Sequence, residues 1–264
     1  MATNKTAAET KVASETIEIR EIGSAEILDS LKLGIADFNK KPTHYLFLIL
    51  TYPILMVLIA RVYAGYDILP MLFPIIAGST LLGPVAACGM YELSRRMERG
   101  LDSSWTHVFD VFRSPSILAI VTLGVVLGVI FVVWLSLAEL IYFSYFGDVV
   151  PESLMGFVSA ILTTPAGWGL IVTGTITGLI FAVLVLIISV ISFPLLLDRR
   201  VSAMTAASAS FRAVAMNPKS MAVWGFIVAL GLVLGAIPLF LGLSVVMPVL
   251  GHATWHLYRK VIVS

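Results

Sequence analysis

Long uncharged apolar runs recur along this chain, separated by short polar stretches, at about the length a bilayer requires. A helix needs about 20 apolar residues to cross roughly 30 Å of hydrocarbon. Residues 45–64 supply one such run, with Arg61 near its end, where a long side chain can reach back to water. Residues 68–91 supply a second without any charge, and the short Gly65-Tyr66-Asp67 link makes the two an antiparallel hairpin. Residues 117–146 form a third, interrupted only by Glu139.

The next runs are too long for one crossing each. Ser153 to Leu197 contains no Asp, Glu, Lys, Arg or His, and Thr163-Thr164-Pro165-Ala166-Gly167 divides it, because proline and glycine disfavour a continuing helix. The pattern predicts a short interfacial piece over residues 154–162 and a span over 168–197. Ser220 to Tyr258 holds 39 residues without Asp, Glu, Lys or Arg. As a helix it would run roughly 58 Å, about two crossings. Gly235 and Pro238 near its middle suit a turn, giving spans over 220–236 and 239–258.

Charge placement supports six spans over five. Lysines and arginines collect in cytoplasmic loops, and with six spans and an inner N-terminus all 17 of them except Arg61 fall inside. Five spans would leave Arg259 and Lys260 outside. The expected architecture is all-α: a polytopic transmembrane helix bundle with both termini cytoplasmic. Residues 1–22 read as a flexible cytoplasmic tail and residues 23–264 as a single membrane domain. The first 44 residues are hydrophilic and carry no signal-peptide pattern, so the first span is retained.

Composition agrees. Apolar residues make up 59% and charged residues 12%, with a mean hydropathy of +0.99, against roughly 45–50% and about 25% in soluble domains. Lipid must solvate much of such a chain. A net charge of +1 excludes the concentrated basic surface of a nucleic-acid binder. Cys88 is the only cysteine and lies in an apolar stretch, so it reads as a packing residue.

Two inner stretches resemble each other. Arg95-Arg96 precedes Pro115 by about the spacing at which Arg199-Arg200 precedes Pro218, and each proline opens a span. Between them, Leu101, Trp105, Val108, Phe109 and Phe112 in the first stretch, and Val201, Met204, Phe211 and Val214 in the second, fall on one helical face. Ile27, Leu28, Leu31, Ile35 and Phe38 do so before the first span. These are expected to be interfacial amphipathic helices, and the repeated unit reads as an internal duplication, of a kind common in transporters.

Few residues invite chemistry. Glu139 is the one acid well inside an apolar run, where carboxylates often mark ion or proton paths. It lies near the outer end of its span, within reach of interfacial water or of Arg61. His252 and His256 stand one helical turn apart, a spacing that suits metal ligation or, singly, haem. His44 and His107 are the remaining histidines. The competing reading makes Trp255, His256, Tyr258, Arg259 and Lys260 the aromatic and basic belt where a helix leaves the membrane. Arg95, Arg96, Arg199, Arg200, Arg259 and Lys260 are placed to contact anionic lipid. Three GxxxG pairs, Gly124/Gly128, Gly174/Gly178 and Gly231/Gly235, read as packing devices.

The strings "LGP" at 82–84, "YELSRRMERG" at 91–100, "FPLLLDRR" at 193–200, "NPKSMAVWG" at 217–225 and "PVLGHATWHLYRK" at 248–260 resemble domain of unknown function 2189, a family of bacterial integral membrane proteins. The resemblance covers most of the chain after Ile19. It implies a helical bundle in the inner membrane and brings no catalytic residues and no cofactor with it. Three functions compete: a non-catalytic scaffold or accessory of another inner-membrane complex, a small transporter or channel coupled through Glu139, and a haem- or metal-binding respiratory accessory using His252 and His256. The first fits the basic pairs and interfacial helices best.

Overall fold

The computed structural model describes residues 17–42, 56–62, 64–238 and 240–263. Its regular elements are helices: α1 (Ser24–Lys40), α2 (Leu69–Ser79), α3 (Gly83–Glu98), α4 (Ile117–Phe146), α5 (Leu154–Thr163), α6 (Pro165–Ser189), α7 (Ser192–Asp198), α8 (Ala203–Met216), α9 (Pro218–Ala236) and α10 (Leu243–Val261). A 3-10 segment, Trp105–Arg113, lies between α3 and α4.

Among the described residues four helical stretches are long and apolar enough to cross a membrane: Tyr66–Glu98, Ile117–Phe146, Pro165–Asp198 and Pro218–Ala236. They correspond to four of the six expected spans. Of the first expected span, residues 56–62 and Ala64 are described, and they are helical. The rest of that span, with His44, lies outside the described residues. The sixth expected span is met by α10, which follows turn residues 237–238 and 240–242 but does not have the apolarity of a whole crossing, because its second half is polar and aromatic.

Local chemistry explains the breaks. Thr164 caps α6 by accepting a hydrogen bond from Gly167 N at 3.0 Å. A Cβ at Gly167 would lie 2.1 Å from Ile161 O, so only glycine lets α5 fold back on α6. The α6–α7 run breaks at Val190 and Ile191 because Pro194 has no N–H to offer Val190. Ser210 Oγ accepts from the Ile191 N–H at 3.2 Å and repairs the interruption from α8.

The two stretches that resemble each other in sequence fold differently. The first is the 3-10 segment, its start shaped by the Asp102 carboxylate accepting from Ser104 N at 3.0 Å. The second is the regular α8, capped by Ser202. In the first, Trp105, Phe109 and Phe112 are exposed as expected, but Val108 turns inward against Gly89. Three residues per turn, rather than 3.6, move it off the shared face. In α8 the buried side is the small one, Ala206, Ala209, Ser210 and Ala213, and Met204 and Phe211 point outward.

α1 departs furthest from expectation. Its buried stripe is Ile27, Ser30, Gly34 and Asp37; of the expected apolar stripe, Ile27 is buried, Leu31 and Phe38 are half-buried, and Leu28 and Ile35 are exposed. It packs this side onto α10, where a Cβ at Gly34 would lie 2.6 Å from the backbone of Ala253. The tail boundary shifts as well. Residues 17–22 run extended against the C-terminus, with Ile19 bridged to Ile262 and Arg20 N donating to Val261 O at 2.8 Å. Asn217 secures this segment, accepting from Ile22 N at 2.8 Å and donating to Arg20 O at 3.2 Å. Ile17 and Ile22 are buried there, and that burial is what orders a stretch the sequence assigns to the tail.

Close packing at Gly34 makes a direct prediction. Gly34→Val should destabilise the protein by about 1–3 kcal/mol through overpacking, read as a lower unfolding temperature in detergent. Gly128→Ala, at a glycine with nothing within 4 Å of a built Cβ, should leave that temperature unchanged or slightly raised.

Candidate functional site

The contact between α1 and α10 brings four polar side chains together near the end of the bundle where Ile19 meets Ile262. Asp37 comes from α1, Ser94 from α3, and His252 and His256 from α10. Asp37 Oδ2 accepts from Ser94 Oγ at 2.8 Å and meets His256 Nε2 at 2.7 Å. Ser94 Oγ in turn meets His252 Nδ1 at 2.7 Å. Ser94 and His252 are fully buried and Asp37 nearly so.

These distances fix the protons. Ser94 gives its hydroxyl proton to Asp37, so His252 Nδ1 must donate to Ser94 Oγ, and His256 Nε2 donates to the carboxylate. A neutral His252 protonated at Nδ1 leaves its Nε2 as a bare acceptor. That atom is the one buried side-chain polar atom without a partner among the described residues. Burial pushes the Asp37 carboxyl up, but the hydrogen bonds from His256 and Ser94 outweigh it and hold the group below the usual carboxylate value. Although serine, histidine and aspartate meet here, the hydroxyl is committed to Asp37 and sealed from solvent, so the arrangement is a clasp between helices and not a nucleophile.

A second network surrounds the clasp. Glu92, buried near the end of α3, binds Arg95 at 2.7 Å and Arg96 at 3.0 Å. Arg96 continues to Asp110 at 2.8 Å. His107 lies between Asp110, at 2.6 Å, and Asp102, at 3.0 Å, and these two hydrogen bonds raise its pKa. Across the C-terminus, Arg259 reaches Glu98 at 3.0 Å and Asp198 at 3.3 Å. Tyr258 Oη donates to Asp198 at 2.7 Å, and Trp255 Nε1 donates to Glu98 at 3.1 Å. Arg99 meets Asp198 at 3.0 Å, and Lys260 pairs with Asp29.

The residues singled out in the sequence therefore part company. His252 and His256 do share a cluster, but as hydrogen-bonding partners of Ser94 and Asp37. His107 stands apart with both ring nitrogens engaged. Among the described residues no group of three or more His, Cys, Asp or Glu side chains is arranged to hold a metal ion. Glu139 lies on an exposed face of α4, and Arg61 pairs with Asp67 at 3.2 Å rather than with it. Cys88 is buried, its thiol donating to Pro84 O at 3.4 Å. Of the six cations expected at lipid, Arg95, Arg96, Arg259 and Lys260 are turned onto carboxylates, and Arg199 donates to Val263 O at 2.6 Å. Arg200 is exposed.

Sequence reasoning missed Asp37, Ser94, Glu92, Glu98 and Asp198. A signal for Asp37 existed: Ser30, Gly34 and Asp37 follow Ile27 at helical spacing along one face of the helix. Its partners lie 57 and 219 positions away, a separation that pattern reading does not bridge.

Asp37→Ala should strand the buried Ser94 hydroxyl and the half-buried His256 N–H and destabilise the fold by about 1–3 kcal/mol, measured as denaturation in detergent. The folded pKa of Asp37 is depressed. Its contribution is therefore fully present above the ordinary value of 3.8 and lost as pH falls through the folded value. Asp37→Asn should flatten the acid limb of the stability profile relative to the unsubstituted protein.

The signature of the DUF2189 family, described as predicted integral membrane protein, matches residues 72–198. The match takes in α3 to α7 and most of α2, while the strings at 217–225 and 248–260 and the histidine pair fall beyond it. No curated protein and no solved structure matches the chain. Over residues 72–198, and with helices long and apolar enough for a bilayer, the chain is similar to the DUF2189 family of predicted integral membrane proteins.

Proposed function

We propose that this protein is a non-catalytic scaffold or assembly accessory of a bacterial inner-membrane complex, docking its partner on the end of the bundle that carries both termini. The observation that carries this reading is the ion-paired network there, which fixes a set of outward aromatic side chains. Arg96 ties the 3-10 segment to α3 through Asp110 and through the Asp102 carbonyl, at 2.9 Å, and Val108 seats on Gly89. Trp105, Phe109 and Phe112 are left exposed on this anchored backbone, with Phe112 at 70%. Aromatic side chains held rigidly carry much of the energy at protein interfaces.

In this reading the chain crosses six times with both termini in the cytoplasm. An even number is supported by the pairing of Ile19 with Ile262, which puts the two ends together. A cytoplasmic assignment is supported by the gathering of arginines and lysines at this end.

Affinity purification from native membranes in mild detergent should recover a second membrane complex in fixed proportion. Trp105→Ala combined with Phe109→Ala should reduce that recovery severalfold while the elution volume of the protein stays the same. Purified protein that by itself drives a solute against a gradient in liposomes would overturn the scaffold reading.

A second reading rests on the bare Nε2 of His252: a single imidazole ligand to haem or a metal. Protein from cells supplied with haem and metals would then carry an absorption band or bound metal that His252→Ala removes. A colourless, metal-free sample refutes it.

A further inference from the structure

We propose that the groove between α6 and α8 is a binding site for one anionic phospholipid, with Arg212 as the partner of its phosphate. The groove has a volume of about 590 Å³, within the ~300–1,000 Å³ of ligand clefts. Leu184, Ile187 and Ile188 form one wall at helical spacing on the membrane helix α6, and Ala207 and Phe211 form the other on α8. Ser208 and Arg212, one turn apart on α8, complete the lining with its only polar side chains.

Three observations favour a lipid as the occupant. The first is the shape of the packing. α8 meets its neighbours through Ala206, Ala209 and Ala213, which are buried, while the adjacent Ala207 is too short to fill the gap toward α6. Leu184 and Phe211 are 40% and 59% exposed, so the groove is open along its side. Because α6 belongs to a stretch long and apolar enough for a bilayer, the groove opens where acyl chains lie.

The second is charge. Arg95, Arg96, Arg99, Arg113 and Arg259 each meet a carboxylate within 3.3 Å. Arg212 has no hydrogen bond or ion pair among the described residues, and the chain holds no Asp or Glu from Arg199 to its last residue. The missing counter-charge is one that a ligand can supply.

The third is chemistry. A guanidinium presents parallel N–H donors that match two phosphate oxygens, and it is less strongly hydrated than an ammonium, which suits the edge of a bilayer. The Ser208 hydroxyl offers a further donor one turn away. An apolar slot ending at an arginine recognises a molecule that is apolar along one part and anionic at its end. Free phosphate would use only Arg212 and Ser208 and leave the apolar walls exposed to lipid in general.

Native mass spectrometry of the full chain, stripped of lipid and then given phosphatidylglycerol or phosphatidylcholine, tests this. The unsubstituted protein should retain one phosphatidylglycerol with at least a tenfold preference over phosphatidylcholine. Arg212→Gln, at an exposed position, should remove that preference without changing the unfolding temperature of the lipid-free protein. Ala207→Phe should fill the slot and lose retention of both lipids, while Arg212→Lys should keep part of the preference. Equal retention of the two lipids, or a preference unchanged in Arg212→Gln, overturns the proposal. So does inorganic phosphate that stabilises the lipid-free protein as much as phosphatidylglycerol does, since that marks a site for the anion alone.

Discussion

A buried carboxylate cannot stay where Asp37 stays without partners, and that requirement organises this end of the molecule. An ionised group taken from water costs several kcal/mol unless hydrogen bonds replace its hydration. Asp37 finds its partners on α3 and α10, so the N-terminal helix is held against the C-terminal one by the need to satisfy a single side chain. Gly34 makes the approach possible: without a side chain there, the backbones come close enough for Asp37 to reach Ser94 and His256. The extended segment 17–22, the Ile19–Ile262 bridge and the Asn217 contacts all follow from the same docking of α1.

Around that clasp the charged residues form a layer. Glu92, Glu98, Asp110 and Asp198 each hold at least one arginine, joining the ends of α3, α7 and α10 to the 3-10 segment. Pairs near a membrane surface are less screened than pairs in bulk water, and a shared arginine such as Arg259 orders two carboxylates with one side chain. The cap therefore has defined geometry even though its elements are short. The contrast with Arg212 on α8, which meets no carboxylate among the described residues, separates the structural use of arginine from a use that points outward.

Glu139 and the histidine pair show how a feature of composition changes meaning once its neighbours are known. On a list of residues, an acid in an apolar run and two histidines one turn apart both suggest transport or ligation. In three dimensions Glu139 occupies an exposed face, and the histidines divide their nitrogens between Asp37 and Ser94. What keeps His252 of interest is its second nitrogen, buried and unpartnered.

The hydrophobic runs alone determined that this is a helical membrane protein. They also placed the helices over 117–146 and 220–236 and the break at Thr164 and Pro165, because desolvation, helix length and proline geometry are local properties of a run. The polarity of the α1 interface was decided only by tertiary structure: beside Ile27 the helix buries Ser30, Gly34 and Asp37, rather than Leu28 and Ile35, when a carboxylate must be satisfied and a close approach is available. The same holds for the 3-10 form of the first of the two similar stretches, for the pairing of arginines expected at lipid with carboxylates on other helices, and for the groove beside Arg212. Each depends on groups far apart in the chain, and a run of residues carries no information about which distant group it will meet.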